Sequence, residues 1–193
     1  MPQINSHTKH YWNTFDRKVK QFNKPAQLPE YFAEMIEGKD TVYIAEVCCG
    51  LVNTIGDSWP DKKIYVTCSD SNADSFNSMW EEKGITPLHP IKKENIEELH
   101  YYQNLFDVVH CRNALDHTED PLRAISELKR VSREWVYLLH APDQMSTYGG
   151  HHKWDIRLED GKTVFYGKEY SFILNGFKSY LDKDGLIVSI WKK

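Results

Sequence analysis

The six residues Val42-Tyr-Ile-Ala-Glu-Val47, which break at once into Cys48-Cys-Gly50, constrain the fold more than any other stretch. A short apolar run with an acid near its end, followed by small residues, is how a buried parallel strand delivers its carboxyl end to a ligand. A second run, Lys63-Ile-Tyr-Val-Thr-Cys-Ser-Asp70, ends in an acid some twenty residues after Gly50. In α/β folds an acid at that spacing accepts hydrogen bonds from ribose hydroxyls. The pair points to a nucleoside-containing cofactor.

Alternation of short apolar runs with helical periodicity continues along the chain. Strands are predicted at 42–47, 64–69, 88–92, 106–111 and 135–140. Between them the pattern predicts a short helix at 53–58, a helix at 73–83 closed by Gly84, a helical turn at 94–99 and an amphipathic helix at 121–132. Strands separated by helices pair in parallel through right-handed crossovers. The expected fold is therefore α/β: a doubly wound, mostly parallel Rossmann-like sheet of 6–7 strands with helices on both faces. Residues 1–40 read as a helical cap, with Tyr11, Trp12, Phe15, Val19 and Phe22 at helical spacing and a second helix after Pro29. Two readings of its aromatics stay open: they cover a sheet edge, or they form a lid with Tyr11 or Trp12 facing the site. Beyond Ala141 an exposed loop is expected at 143–153, a hairpin turning at Asp160-Gly161, a helix at 172–181 and a last strand at 186–191. The expectation is one domain of cap (1–40), cofactor-binding core (41–141) and acceptor-side segment (142–193).

Composition removes several function classes. A formal charge of −4 and a pI near 6.1 argue against general nucleic-acid binding. No apolar run approaches the ~20 residues that span a bilayer, and the polar first residues lack a signal-peptide core. Cysteines 48, 49, 68 and 111 lie in or beside predicted strands with no Cys-x-x-Cys pair, which suits reduced thiols in a cytoplasmic protein rather than a disulfide frame or structural zinc site.

Three cofactor folds compete for the turn at Gly50. A triphosphate P-loop is excluded, because no Gly-Lys-Ser/Thr sequence is present. A nicotinamide or flavin fold needs Gly-x-Gly-x-x-Gly for close approach to a pyrophosphate, and that is missing. S-adenosylmethionine has no pyrophosphate, so its turn needs less glycine; it needs one acid near its amino group and another for its ribose.

Here the sequence resembles the class I S-adenosylmethionine-dependent methyltransferases. Their first motif stands as Glu46-Val-Cys-Cys-Gly-Leu-Val-Asn53, with Cys48 and Val52 where glycines are usual. The resemblance implies that Glu46, Cys48 and Gly50 bind cofactor, that Asp70 and Ser71 lie at the ribose, and that Asn95 and Ile96 meet the adenine. The start of the helix after Gly50 would offer N–H groups to the cofactor carboxylate. A further match is Phe106-Asp-Val-Val-His-Cys-Arg-Asn-Ala-Leu-Asp-His-Thr-Glu-Asp-Pro121, which adds Arg112 and Asn113 to the cofactor side. It is similar to a subgroup with Asn-Ala-Leu-Asp-His, some members of which accompany polysaccharide-biosynthesis enzymes; Gly150-His-His-Lys-Trp154 resembles that subgroup's His-x-Trp element.

The implied activity is methyl transfer to a hydroxyl or amine of a small-molecule or glycan-type acceptor. His117 would accept the proton, a task that the ordinary histidine pKa near 6.5 suits, with Asp116 or Asn113 orienting it or the cofactor and His152 as a second catalytic candidate. Tyr11, Trp12, His151 and Trp154 are the candidates for shaping the acceptor pocket. Asp116, His117, His151 and His152 could together hold a divalent ion, but adjacent His-His is a poor chelating spacing on its own, and no metal is expected. Cys48 and Cys49 read as packing residues. Two alternatives remain: another type of S-adenosylmethionine-binding enzyme, such as a lyase, and a non-catalytic subunit that keeps the fold. Oligomeric state is not legible.

Overall fold

The computed structural model describes residues 6–193, except for the side chains of residues 6–10 and of Trp12. The acceptor role expected of Trp12 therefore lies outside the described residues. The chain divides into two compact units, residues 1–95 and 96–193.

In the first unit, α1 (Ser6–Phe22) precedes β1 (Thr41–Val47), β2 (Lys63–Asp70), α2 (Ala73–Glu82) and β3 (Ile91–Lys93). The strand order is β3-β2-β1, all parallel. Helical spacing puts Phe15 of α1 into a core with Phe76, Met79 and Trp80 of α2 and with Leu51 and Val52, while Tyr11, Val19 and Phe22 pack against it. The cap is thus a true layer of this unit, driven by burial of apolar area at roughly 25 cal/mol per Å2. After Pro29 the expected second helix shrinks to two 3-10 turns, Glu30–Phe32 and Glu34–Ile36.

No helix follows Gly50: residues 51–60 run as turns and bends. The Trp80 indole N–H donates to the Leu51 carbonyl at 3.1 Å, and Asn53 caps its own loop through Ile55 N and Gly56 O, both at 3.0 Å. Local side-chain bonds of this kind compete with helix formation.

In the second unit, β4 (Phe106–Arg112) and β5 (Ser132–His140) are parallel and joined by α3 (Pro121–Val131). α3 begins where Asp120 accepts the Arg123 N–H at 3.0 Å and Pro121 fills the first turn; Ala124, Ile125, Leu128 and Val131 are buried. β10 (Ile187–Lys192) and β9 (Lys178–Leu181) continue antiparallel in the order β4-β5-β10-β9. Segment 94–99 is a turn rather than a helical one, and the loop at 143–153 contains a short helix, α4 (Gln144–Tyr148).

A second, three-stranded antiparallel sheet comprises β6 (Asp155–Glu159), β7 (Lys162–Tyr166) and β8 (Ser171–Ile173). Its hairpin turns at Asp160-Gly161 as expected, both residues having positive φ (48° and 72°). The helix expected at 172–181 is overturned. Gly176 (φ 78°) makes a turn between β8 and β9, and Ser179 faces inward to a hydroxyl trio with Thr163 (2.9 Å) and Ser189 (3.2 Å). The strand set is that of a mostly parallel, seven-stranded Rossmann-like fold with an antiparallel C-terminal pair.

Candidate functional site

The first constellation lies at the carboxyl ends of β1 and β2. Asp70 ends β2, 8% exposed: its Oδ2 accepts the Gly50 N–H at 3.0 Å and its Oδ1 the Asn72 N–H at 2.8 Å. The acid thus shapes the turn as well as the strand end, and the Asn72 bond is the Asx turn that local chemistry favours. Glu46, 2% exposed, accepts from Thr54 Oγ1 at 2.6 Å and from Thr54 N at 3.2 Å; the Cys68 thiol lies 3.8 Å from its Oε2. Thr54 is a partner that sequence reading missed. Its hydroxyl–carboxylate contact joins residues eight apart across a turn, a spacing with no periodic signature.

Backbone angles answer how a glycine-poor turn is built. Gly50 has φ 67°, and a Cβ there would fall 2.6 Å from the Tyr11 hydroxyl. Val52 is not among the residues of positive φ; Cys48 is, at 58°. Left-handed backbone in a residue with a Cβ costs about 1 kcal/mol or more. Strain therefore falls on Cys48, while Val52 packs in the core. The four cysteines are free thiols, and the Cys49 thiol is pushed well above its ordinary pKa, first by its hydrogen bond with Cys68 and then by burial. That supports packing rather than nucleophilic use.

Tyr11 stands over this turn. Its ring meets Phe76 edge-on at 4.8 Å, Lys18 Nζ lies 4.4 Å from the ring centroid, and its pKa is raised by burial and then by the Asp70 charge. Ser71 and Asn95 are exposed and Ile96 is buried.

The second constellation follows β4. The 3-10 turn Leu115–His117 carries Asp116, 3% exposed, whose backbone carbonyl accepts from Lys153 N (2.7 Å) and Trp154 N (3.2 Å). Those bonds bring the loop after β5 onto the loop after β4. The Asp116 carboxylate contacts His152 Nδ1 and lies 3.5 Å from His117 Nε2. His117 Nδ1 is 3.2 Å from the His151 carbonyl oxygen, and the His117 and His152 rings are 4.3 Å apart. Asp116, His117 and His152 are thus brought together; exposed His151 contributes its carbonyl rather than its ring to this contact. His140, fully buried, feels the Asp116 charge and was not singled out in the sequence.

Trp154 is a buried post. Its indole N–H donates to Thr118 O at 3.0 Å, it packs on Tyr170 at 5.1 Å and Phe172 at 5.8 Å, and a Cβ at Gly167 would collide with it at 2.5 Å. Asn113 (φ 47°) ties two strand ends, donating its N–H to Leu139 O and accepting Ala141 N, both at 2.8 Å; Arg112 is exposed.

Residues 45–139, just under half of the chain, match a methyltransferase domain family. Comparison with curated protein sequences gives no match. Three solved structures share the fold. An S-adenosylmethionine-dependent methyltransferase from Clostridium acetobutylicum has TM-score 0.52 at 10% identity, covering 95% of this chain and 98% of that one. One from Thermotoga maritima has TM-score 0.51 at 13% identity, covering 97% and 98%. One from Methanosarcina mazei has TM-score 0.50 at 16% identity, covering 87% and 99%. At such identity the likeness is one of fold. Buried acids at the carboxyl ends of β1 and β2, with the positive-φ turn at Gly50 between them, are hydrogen-bond acceptors that suit the amino and ribose hydroxyl groups of that family's cofactor. The domain match over 45–139 indicates S-adenosylmethionine as the cofactor and an enzyme of the methyltransferase class.

Proposed function

We propose that this chain is a single methyltransferase-like domain that methylates a hydroxyl or amine of a small-molecule or glycan-type acceptor. The observation that carries the acceptor chemistry is the Asp116–His117–His152 cluster, two imidazoles on one buried carboxylate. A hydroxyl or amine acceptor must lose a proton as it is methylated, and an imidazole accepts one near neutrality.

Bound S-adenosylmethionine supplies an already activated methyl group, so the protein's work is alignment and proton removal. In the first unit Glu46, Cys48, Gly50, Asp70 and Ser71 would hold the cofactor, with Asn95 as the candidate for its base; in the second unit Ile96, Arg112 and Asn113 are the candidates for cofactor contact. With no helix after Gly50, and with the Thr54 and Ile55 N–H groups held by Glu46 and Asn53, the cofactor carboxylate would rely on loop N–H groups of residues 51–53 rather than on a helix terminus. His117 takes the proton at Nε2, because its Nδ1 proton is directed at the His151 carbonyl. The Asp116 carboxylate, 3.5 Å away, stabilises the resulting imidazolium. His152 is the second proton carrier on the same acid. Tyr11 in the first unit and His151 in the second are each candidates for contact with the acceptor, and Trp154 holds the loop that presents His152. The reduced thiols favour a cytoplasmic setting; no described helix is long and apolar enough to cross a membrane.

The test has two arms. Calorimetry with S-adenosylhomocysteine should show binding that Asp70→Asn weakens and His117→Ala leaves nearly intact. Transfer of a labelled methyl group to a panel of sugars, phenols and amines should then fall sharply in His117→Ala; undiminished turnover removes His117 as the base. Breakdown of the cofactor without acceptor would instead reveal a lyase, and no binding near millimolar concentration a non-catalytic subunit.

A further inference from the structure

The cluster after β4 has a second chemical capacity, arising from the same three side chains. Asp116 Oδ2, His117 Nε2 and His152 Nδ1 each offer one ligand atom, and all lie within 4.8 Å of one another. We propose that Asp116, His117 and His152 form a binding site for one divalent transition-metal ion, of which zinc is the best match.

Donor identity comes first. Two imidazole nitrogens and one carboxylate oxygen suit zinc and its neighbours in the first transition row; magnesium and calcium prefer oxygen alone. Spacing comes second. Bonds of about 2.0–2.2 Å in tetrahedral geometry put neighbouring ligand atoms about 3.4 Å apart. His117 Nε2 and Asp116 Oδ2 are 3.5 Å apart. That separation is long for a hydrogen bond and close to the edge of a zinc tetrahedron.

The outer partners are in place as well. A ligating histidine ordinarily donates its other ring N–H to a carbonyl or carboxylate, which fixes tautomer and orientation. His117 does so: Nδ1 lies 3.2 Å from the His151 carbonyl oxygen, which only accepts, so Nδ1 keeps the proton and Nε2 presents its lone pair. Asp116 is pinned through its own backbone carbonyl by Lys153 N and Trp154 N, and its carboxylate is 4% exposed. His152 now directs Nδ1 at the Asp116 carboxylate. To bind an ion at Nδ1, His152 would carry its ring proton at Nε2.

The poor chelating geometry of adjacent His151-His152 does not apply, because His151 supports the site through its backbone. Three protein ligands leave one position of a tetrahedron open to water or to an acceptor oxygen. An ion here takes up the lone pair that the proposed function assigns to His117, so the metal-loaded form cannot use that nitrogen as base. The inference rests on the proposed reaction only in sharing residues with it.

The untagged full chain, stripped with chelator and dialysed against Zn2+ or Co2+, should retain one ion per chain by elemental analysis. The Co2+ form should show the intense visible absorption of a four-coordinate site. His117→Ala and His152→Ala, both at partly exposed positions and checked for native circular dichroism, should each weaken binding by tenfold or more. His89→Ala, which removes a histidine paired with Asp57 at 3.1 Å in the first unit, should leave it unchanged. No retained ion, or affinity in either cluster variant equal to the parent's, overturns the proposal. Calorimetry with S-adenosylhomocysteine on the same sample keeps that failure separate from failure of the methyltransferase reading.

Discussion

His140→Phe should make the protein more resistant to acid. His140 is 1% exposed, and neither ring nitrogen has a hydrogen-bond partner among the described residues. Burial pushes its pKa down to about 4, with the Asp116 charge pulling part of the way back. In the unfolded chain the ring titrates near 6.5. A folded pKa below the unfolded one means that the unfolded state binds more protons. The neutral ring's contribution is therefore fully present above pH ~6.5 and is lost as pH falls toward 4. At pH 5 the loss is about 2 kcal/mol, against almost none at pH 7.5. Phenylalanine keeps the ring that meets Phe165 edge-on at 5.8 Å and removes the titration. Its packing cost is the same at both pH values, so it cancels in the difference. Urea unfolding followed by tryptophan fluorescence in metal-free buffer at pH 7.5 and pH 5.0 gives that difference directly. The variant should gain about 2 kcal/mol relative to the parent between the two conditions. Equal ΔΔG at both pH values would falsify the neutral-histidine account.

Four further outcomes are expected. His110, also 1% exposed and held down to about 3 by burial and then by Arg112, adds a second acid-labile contribution, so the parent's urea midpoint should fall steeply below pH 6.5. Cys48→Gly removes left-handed strain and should stabilise by about 0.5–1 kcal/mol, read from the urea midpoint; a loss larger than that would show the side chain's packing to matter more. Gly50→Ala should abolish S-adenosylhomocysteine binding in calorimetry and destabilise by at least ~1 kcal/mol, because its Cβ meets the Tyr11 hydroxyl; adding Tyr11→Phe should restore part of the stability. Thr54→Val removes the 2.6 Å bond to buried Glu46 and should cost about 1–3 kcal/mol in urea unfolding along with cofactor affinity.

What the sequence determined by itself is local and periodic. The run at 106–111 is a strand because continuous apolar residues suit burial on both faces, and the runs at 42–47 and 64–69 are strands whose carboxyl ends are buried while Tyr43 and Tyr65 stay exposed. α3 is legible from its capping Asp120, Pro121 and apolar stripe, and the β6–β7 turn from Asp160-Gly161. Asn175-Gly176 carried the same turn signal inside the segment read as a helix; local punctuation outweighed helical spacing there because β7 and β10 offered pairing partners. Glycine count could not say which residue at the first turn takes the left-handed backbone, since that depends on whether Val52 or Cys48 is needed in the core. The helix expected after Gly50 lost to side-chain bonds from Asn53, Thr54 and Trp80, two of which reach across 8 and 29 residues. Tertiary structure alone decided the cluster after β4. Asp116 and His152 are separated by 36 residues, and no local pattern encodes their contact. It forms because the Asp116 carbonyl captures the amides of Lys153 and Trp154, and because Trp154 is anchored by its own indole hydrogen bond and aromatic packing.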